Sequence, residues 1–318
     1  MATKPTAEPA VTQTHTRLAT LVVLGLLGAF GPLSMDTYLP SLPRVASTFQ
    51  TSSSLVQFSL TASLVGLAVG QLFAGPASDR HGRRRVLLVG LTVFVLASAL
   101  CAIAPDVWFL ILVRLVQGSA GATGIAVSRA VIRDLYSGKA LALILSRLLM
   151  VSGMAPVIAP LIGAQILHFA GWRVVFWALA GLGVAMFALT FALVPETLPP
   201  ERRTDNNARA TLVVYGRIVR SPDAIPYVLT TGLFSGVLFS FISGSPFVIQ
   251  KIYGQSPSVF SFVFAGVSAV MIVNGQVNAR LVRPAHSAAP TAPTAANRRL
   301  LPRTKRPGVD RCIVSPCF

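Results

Sequence analysis

The sequence predicts an all-α fold, a polytopic bundle of helices that span a membrane. Three observations predict it. Of the 318 residues, 53% are hydrophobic and only 12% are charged, whereas a soluble domain has about 25% charged residues. The apolar residues form runs that are long enough to cross a bilayer as helices. Most of the basic residues lie in the short segments between these runs or near the C-terminus.

Apolar runs of about 20 residues or more mark the spanning helices. They cover residues 18–39, 54–76, 86–104, 107–130, 141–168, 172–194, 224–249 and 257–279. Six runs follow one another closely, and two come after a polar segment. The predicted organisation is a cytoplasmic tail (1–17), a six-helix bundle (18–194), a cytoplasmic linker (195–223), a partial second bundle of two helices (224–283) and a tail (284–318).

The last predicted segment, 284–318, differs in composition from the rest of the chain. It is rich in Pro, Ala, Thr and Arg and contains no run that is long enough to span a membrane. Such a composition cannot bury a core, so the segment is predicted to be disordered. It resembles the translation of a GC-rich gene in a shifted reading frame.

The distribution of basic residues predicts the orientation in the membrane. Lys and Arg collect in short loops on the cytoplasmic side. With the N-terminus in the cytoplasm, the dense cluster at Arg80–Arg85 lies inside, and only Arg44, Arg173 and Lys251 fall outside. We therefore expect a multi-pass protein of the cell inner (plasma) membrane with a cytoplasmic N-terminus.

Several functional classes are disfavoured by the sequence. A net charge of +17 could favour nucleic acid, but the charge is spread over the loops and the tail, so we predict no nucleic-acid partner. Cys101 lies in an apolar run, and the other cysteines have no metal-ligand spacing. No catalytic motif occurs at membrane depth. We expect no metal, no cofactor and no enzymatic activity.

Asp36 is the one acidic residue that falls within an apolar run. An ionisable group inside a membrane is costly and therefore calls for an explanation. One interpretation is a proton-coupling or cation-recognition site in a partly dry cavity. The other is an interfacial carboxylate bonded to water or to a neighbouring helix end.

Arg114 lies within the fourth apolar run, on the same helical face as Gln117 and Gly118. It is expected to face a polar cavity or to pair with a carboxylate. It either controls the uptake and release of protons or makes structural hydrogen bonds to backbone carbonyls.

A hairpin between the second and third runs combines turn residues with charges. Gly75-Pro76 is expected to end a helix and Gly82 to permit a tight turn. The residues predicted to form a cytoplasmic gate are Gly75, Asp79, Arg80, Gly82, Arg83 and Arg84. The hairpin either latches one conformation through charges at helix ends or only anchors the chain at the membrane face.

The fifth run contains Gly153, Pro156, Pro160 and Gly163. Prolines four residues apart remove backbone donors on one face and favour a bend. This segment is either a hinge and seal between two moving halves or a static kink.

These segments together resemble a known family. The hairpin, the Arg114-Gln117-Gly118 segment and the fifth-run motif resemble signatures of the major facilitator superfamily. The segments Leu33–Pro43 and Glu196–Arg203 resemble its Bcr/CflA (bicyclomycin-resistance) multidrug efflux branch, and the likeness extends from about residue 18 to residue 283.

The resemblance implies drug:proton antiport by alternating access, with small amphipathic drugs, protons and the lipid bilayer as partners. It implies that Asp36 is the proton site, with Arg114 as its electrostatic partner and Gln117 and Tyr38 in the same cavity. It also implies that Asp79 and Arg80 close the cytoplasmic side.

Members of this family carry twelve helices in two halves, and this sequence predicts eight. The substrate site of such transporters lies between the halves. An alternative is therefore a non-transporting membrane protein, or a modulator of an intact transporter.

Overall fold

The structure is a computed structural model that describes residues 10–203, 213, 216, 220–222 and 224–287. Within these ranges, side chains are described from Leu18 to Val277. The predicted linker 195–223 is therefore described in part, and residues 288–318 of the predicted tail lie outside the described residues.

The described chain is helical and contains no strand. The helices are α1 (Ala10–Asp36), α2 (Leu42–Thr48), α3 (Ser53–His81), α4 (Arg83–Ala102), α5 (Val107–Leu135), α6 (Gly138–Phe169), α7 (Trp172–Leu193), α8 (Ile225–Phe247) and α9 (Pro257–Ser287). Short 3-10 turns cover Leu39–Ser41 and Pro200–Arg202, and a π-helical turn covers Val248–Ile252.

Eight spans among the described residues are long and apolar enough to cross a membrane. They correspond to the eight runs in the sequence, which confirms the predicted fold class. The first span runs from Leu18 to Thr48, because α1 and α2 are joined only by the turn at Leu39–Ser41. The chain divides into two compact units, Met1–Ile272 and Val273–Phe318, and the contacts described below lie in the first.

Side-chain caps explain two of the sharp connections between helices. The hydroxyl of Ser52 accepts a hydrogen bond from the Leu55 amide at the start of α3. The carboxylate of Asp106 accepts from the amides of Trp108 and Phe109 at the start of α5. Each cap satisfies backbone donors that have no partner within the helix.

The expectation that Gly75-Pro76 ends a helix was wrong. Helix α3 continues through Pro76 to His81. A proline inside a membrane helix removes one backbone hydrogen bond, which neighbouring groups can compensate. The helix ends instead at Gly82, whose φ of +96° is a conformation that glycine adopts at little cost.

A common core lies between six long helices, α1 and α3 to α7. Its fully buried large side chains include Leu24, Leu27, Phe94 and Phe176. Helices α3 and α5 pack closely, since the Ser63 hydroxyl of α3 donates to the Arg114 carbonyl of α5 over 3.1 Å. Association between helices in lipid depends on such close packing.

Gly163 allows α6 to lie directly against the chain that follows α1. A Cβ atom at this position would overlap the carbonyl group of Thr37. Because the obstacle is backbone, it cannot move aside as a flexible side chain could. The absence of a side chain at Gly163 therefore determines how closely α6 approaches the Asp36 segment.

We expect Gly163→Ala to lower the free energy of unfolding by about 1–3 kcal/mol, the usual cost of overpacking. Thermal unfolding followed by tryptophan fluorescence would show a lower Tm. Gly153→Ala on the same helix is the matched control, since no atom lies within 4 Å of its Cβ position and Ala is the better helix former. Equal Tm values for the two variants would contradict this account of Gly163.

Candidate functional site

Asp36 is the last residue of α1, and the residue is 8% exposed. No described residue donates a hydrogen bond to its carboxylate or forms an ion pair with it. It lines a cavity of about 300 Å³ between α1, α6, α8 and α9. A carboxylate buried without a partner is unfavourable in its charged form. This arrangement therefore favours the binding of a proton or a cation that neutralises the carboxylate.

The walls of the Asp36 cavity are apolar and aromatic except for Ser268. Phe241 of α8 and Phe264 of α9 stack there, with ring centroids 6.3 Å apart and an interplanar angle of 10°. Gly153 and Pro156 of α6 also line the cavity. A cavity with apolar walls and few polar groups is typical of sites for small organic molecules.

Arg114 is fully buried on α5. Its Nη1 donates to Gln117 Oε1 over 2.6 Å, and Gln117 Nε2 in turn donates to Ser98 Oγ over 2.7 Å. The remaining donors, Nε and Nη2, have no hydrogen-bond partner among the described residues. The arginine therefore carries a buried charge that only part of its surroundings compensates.

The ring of Tyr38 covers the guanidinium group of Arg114. The Arg114 Cζ atom lies 4.9 Å from the centroid of the Tyr38 ring and 5.7 Å from that of Phe176. The Tyr38 hydroxyl contacts Ser59 Oγ of α3 at 3.2 Å. Cation–π contacts of this kind stabilise a desolvated cation, and they fix Tyr38 beside Arg114.

The structure does not bring Asp36 and Arg114 into contact. Among the described residues, no hydrogen bond or ion pair joins them, and the expected carboxylate partner of Arg114 is absent. Tyr38 connects the two sites, because it lies two residues after Asp36 and its ring packs on Arg114. Gln117, the other predicted cavity residue, is buried and accepts a hydrogen bond from Arg114.

The hairpin residues form a second polar site, centred on Arg83. Arg83 Nη1 donates to Asp79 Oδ1 over 2.5 Å and to Ser78 Oγ over 2.6 Å. Its Nε donates to Asp134 Oδ2 at the end of α5 over 3.0 Å. One buried arginine thereby ties α3, α4 and α5 together.

Glu196 caps the start of α4, where Gly82 has no side chain to do so. Its Oε1 accepts from the Arg83 amide over 2.9 Å, and its Oε2 accepts from the Arg84 amide over 3.2 Å. The neighbouring Thr197 donates to Asp134 Oδ2 over 3.1 Å. The segment after α7 is thus bonded directly to the hairpin.

The other predicted gate residues lie around this site. Arg84 Nη2 donates to the carbonyl of Phe191, and its Cζ lies 4.8 Å from the centroid of the Phe191 ring. Gly75 lines a cavity of about 810 Å³, together with Asp79 and Arg83. Arg80 is exposed on the last turn of α3.

The four motif residues of α6 face different partners within one continuous helix. Gly153 and Pro156 lie at the Asp36 cavity. The Pro160 carbonyl accepts a hydrogen bond from Ser261 of α9, and Gly163 lies against Thr37.

Sequence reasoning missed several residues of these sites. Asp134 and Glu196 were not assigned to the hairpin, although only ten acidic residues occur in the chain and a buried arginine is expected to need acidic partners. The contacts of Ser98 and Phe176 could not be predicted, because a serine or a phenylalanine within an apolar run does not indicate which helix it packs against.

The fold and the buried charges define a multi-pass membrane protein with a polar site inside a helical bundle. Residues 24–296 match the family model described as the Major Facilitator Superfamily. The chain belongs to this superfamily.

Two relatives illustrate the match. The chain is 41% identical over 261 residues to "Uncharacterized MFS-type transporter YdgK" of Bacillus subtilis, covering 81% of this chain and 65% of that protein. It is 31% identical over 262 residues to "Bicyclomycin resistance protein homolog" of Haemophilus influenzae, covering 82% of this chain and 66% of that one. The chain thus spans about two thirds of the length of these relatives, and the second supports the resemblance to the Bcr/CflA branch.

A solved structure shows the same fold. The inward-facing, unoccupied crystal structure of a bacterial homolog of the human lysosomal transporter Spinster aligns with a TM-score of 0.65 at 18% sequence identity. The alignment covers 88% of this chain and 65% of that one.

We expect Glu196→Ala to lower the free energy of unfolding by about 1 kcal/mol, the usual effect of losing an N-cap, because the Arg83 and Arg84 amides lose their acceptor. Glu196→Gln retains one acceptor oxygen and should have an intermediate effect. Unfolding in sodium dodecyl sulfate measures both. Glu201→Ala, in the exposed turn that follows, is the control. A loss of stability as large as that of Glu196→Ala in this control would rule out the capping role.

We expect Arg114→Met to raise the Tm, since replacing a buried, incompletely paired charge by an apolar side chain of similar length is often stabilising. Arg173→Met is the control and should lower the Tm, because the Arg173 guanidinium donates to the Ala104 carbonyl and lies 4.4 Å from a ring centroid of Trp172. A lower Tm for Arg114→Met would contradict this expectation, because it would show that Arg114 stabilises the folded protein.

Proposed function

We propose that the protein exports small amphipathic molecules in exchange for protons by alternating access, with Asp36 as the coupling residue. The observation that carries this proposal is the buried, unpartnered carboxylate of Asp36 facing an apolar and aromatic cavity. The membership of the superfamily and the relative named for bicyclomycin resistance support it.

The coupling follows from the cost of a buried charge. When Asp36 is ionised, the cavity holds one uncompensated negative charge, and either a proton or a positively charged molecule can neutralise it. The two cannot do so together. The substrate and the proton therefore compete for one carboxylate, which is the condition for exchange rather than co-transport.

The aromatic walls set the expected substrate class. Phe241 and Phe264 offer apolar surface and aromatic faces to the ligand, and aromatic faces attract cations. An amphipathic molecule with a positive charge fits both the walls and the carboxylate. Asp36 then distinguishes charged from neutral ligands.

Arg114 and the hairpin have separate roles in this proposal. Arg114 adds a fixed positive charge near the Tyr38 segment and disfavours a second cation there. The Arg83 site, on the face predicted to be cytoplasmic, holds α3, α4 and α5 in one arrangement until its ion pairs with Asp79 and Asp134 are broken.

The test uses proteoliposomes with an imposed pH gradient and ethidium as a fluorescent amphipathic cation. We expect the chain to drive ethidium accumulation against its own gradient. Asp36→Asn keeps the size of the side chain but cannot ionise, so exchange should fall to the level of liposomes without protein.

Asp106→Asn is the matched control. It makes the same chemical change at an exposed helix cap, where Asn caps as well as Asp does, and it should leave exchange unaltered. Undiminished exchange by Asp36→Asn would remove Asp36 from the mechanism. No ethidium movement by the unaltered chain would favour the alternative, a membrane protein that does not transport.

A further inference from the structure

Helices α8 and α9 contact the other helices mainly at one end. The buried residues of α8 are Ser245, Pro246 and Phe247, at its C-terminus. Those of α9 lie between Phe260 and Ser268, in its N-terminal half. Both contact regions meet the part of the bundle that contains Asp36 and Pro40. The Asp36 cavity is therefore closed at this end, which we name the Pro40 end.

Three hydrogen bonds join the two sides of this closure, and each runs from a side chain to a backbone carbonyl. Gln57 Nε2 of α3 donates to Ser243 O of α8 over 3.2 Å. Gln250 Nε2 donates to Pro40 O over 3.1 Å, and Ser261 Oγ of α9 donates to Pro160 O of α6 over 2.8 Å. No ion pair contributes to the closure among the described residues.

Gln250 reaches its acceptor because the backbone is irregular on both sides. It lies in the π-helical turn Val248–Ile252, a rare conformation that is frequent at functional sites. Its acceptor, Pro40, lies in the turn that joins α1 to α2. Pro43 follows three residues later and has no N–H group with which to close a turn on the Pro40 carbonyl.

The hydrogen bond made by Ser261 forms only in the closed arrangement, but breaking it costs little free energy. Ser261 is fully buried between α9 and α6. When α9 moves away, its hydroxyl can donate to a carbonyl one turn earlier in its own helix, as helical serines commonly do. Opening therefore leaves no unsatisfied donor at membrane depth. Gln250 is half-buried and can exchange its bond for one with water.

We propose that Gln250 and Ser261 are positioning residues that hold α8 and α9 against the Pro40 end, and that their two carbonyl bonds must break for the Asp36 cavity to open on that side. The Gln250 bond couples the closure to the Asp36 segment directly, because Pro40 lies four residues after Asp36. The role of these residues in transport rests on the proposed alternating access. The closure of the cavity does not rest on it, because accessibility can be measured without a substrate or a pH gradient.

The experiment measures the accessibility of the cavity from the Pro40 end. Cys101→Ala, Cys312→Ser and Cys317→Ser remove the three native thiols. Ser268→Cys then places one thiol of nearly the same size in the cavity wall. A membrane-impermeant charged maleimide is applied to spheroplasts and to inside-out vesicles, so that each face of the membrane is tested separately.

We expect slow labelling of the parent from the face that carries Pro40. Gln250→Ala and Ser261→Ala should each raise this rate by about threefold, the effect of one average inter-helix hydrogen bond in a membrane protein. Together they should raise it about ninefold if the two bonds act independently, because independent effects on a rate multiply. Gln250→Met keeps the length of the side chain but has no hydrogen-bond donor, and should match Gln250→Ala.

The chain provides matched controls. The side chain of Gln255 donates to the Tyr253 carbonyl within its own segment, and Ser258 lies one turn before Ser261 on α9. Gln255→Ala and Ser258→Ala should leave the labelling rate unaltered. Unaltered rates in the Gln250 and Ser261 variants, or equal increases in the controls, would overturn the proposal. Tm values close to that of the parent exclude partial unfolding as the cause of an increase.

Discussion

A buried charge in a membrane protein has no water to stabilise it, and the rest of this structure is arranged around two such charges. Asp36 faces an apolar cavity without a partner, and Arg114 lies fully buried with only part of its donors satisfied. Direct pairing would neutralise both at once. Tyr38 instead packs its ring on Arg114 and bonds to Ser59, and no hydrogen bond or ion pair joins the two opposite charges among the described residues.

The two ends of the bundle are held by different chemistry. At the hairpin, Arg83 is bonded to two carboxylates and Glu196 caps α4, which gives strong and directional contacts among charges. At the Pro40 end, the side chains that bond α8 and α9 to the other helices are neutral, and their acceptors are carbonyls in proline-containing turns and helices. Ion pairs must be broken and rehydrated to open, whereas a serine or glutamine can exchange one neutral acceptor for another. The second kind of contact suits a surface that opens and closes repeatedly.

Much of this was accessible from the sequence. The spanning helices follow from the length of the apolar runs, and Asp36 and Arg114 stand out because a charge within such a run is costly. Pro76 shows where local reasoning failed. It was expected to end α3, but the helix continues to His81, because neighbouring groups can compensate for the one backbone hydrogen bond that a proline removes. Glu196 shows a second limit, since its partners are the amides of Arg83 and Arg84, more than a hundred residues away.

The sequence by itself determined the all-helical class, the spans and the identity of the costly residues, because those depend on hydrophobicity summed over short windows. Only the tertiary structure decided which residues meet. The cavity of Asp36 is completed by Phe241 and Phe264 from distant helices, Arg114 bonds to Gln117 and to no carboxylate among the described residues, and Gln250 donates to Pro40. Such contacts arise from how helices pack, and packing in lipid is set by shape and by paired polar groups rather than by the order of residues along one helix.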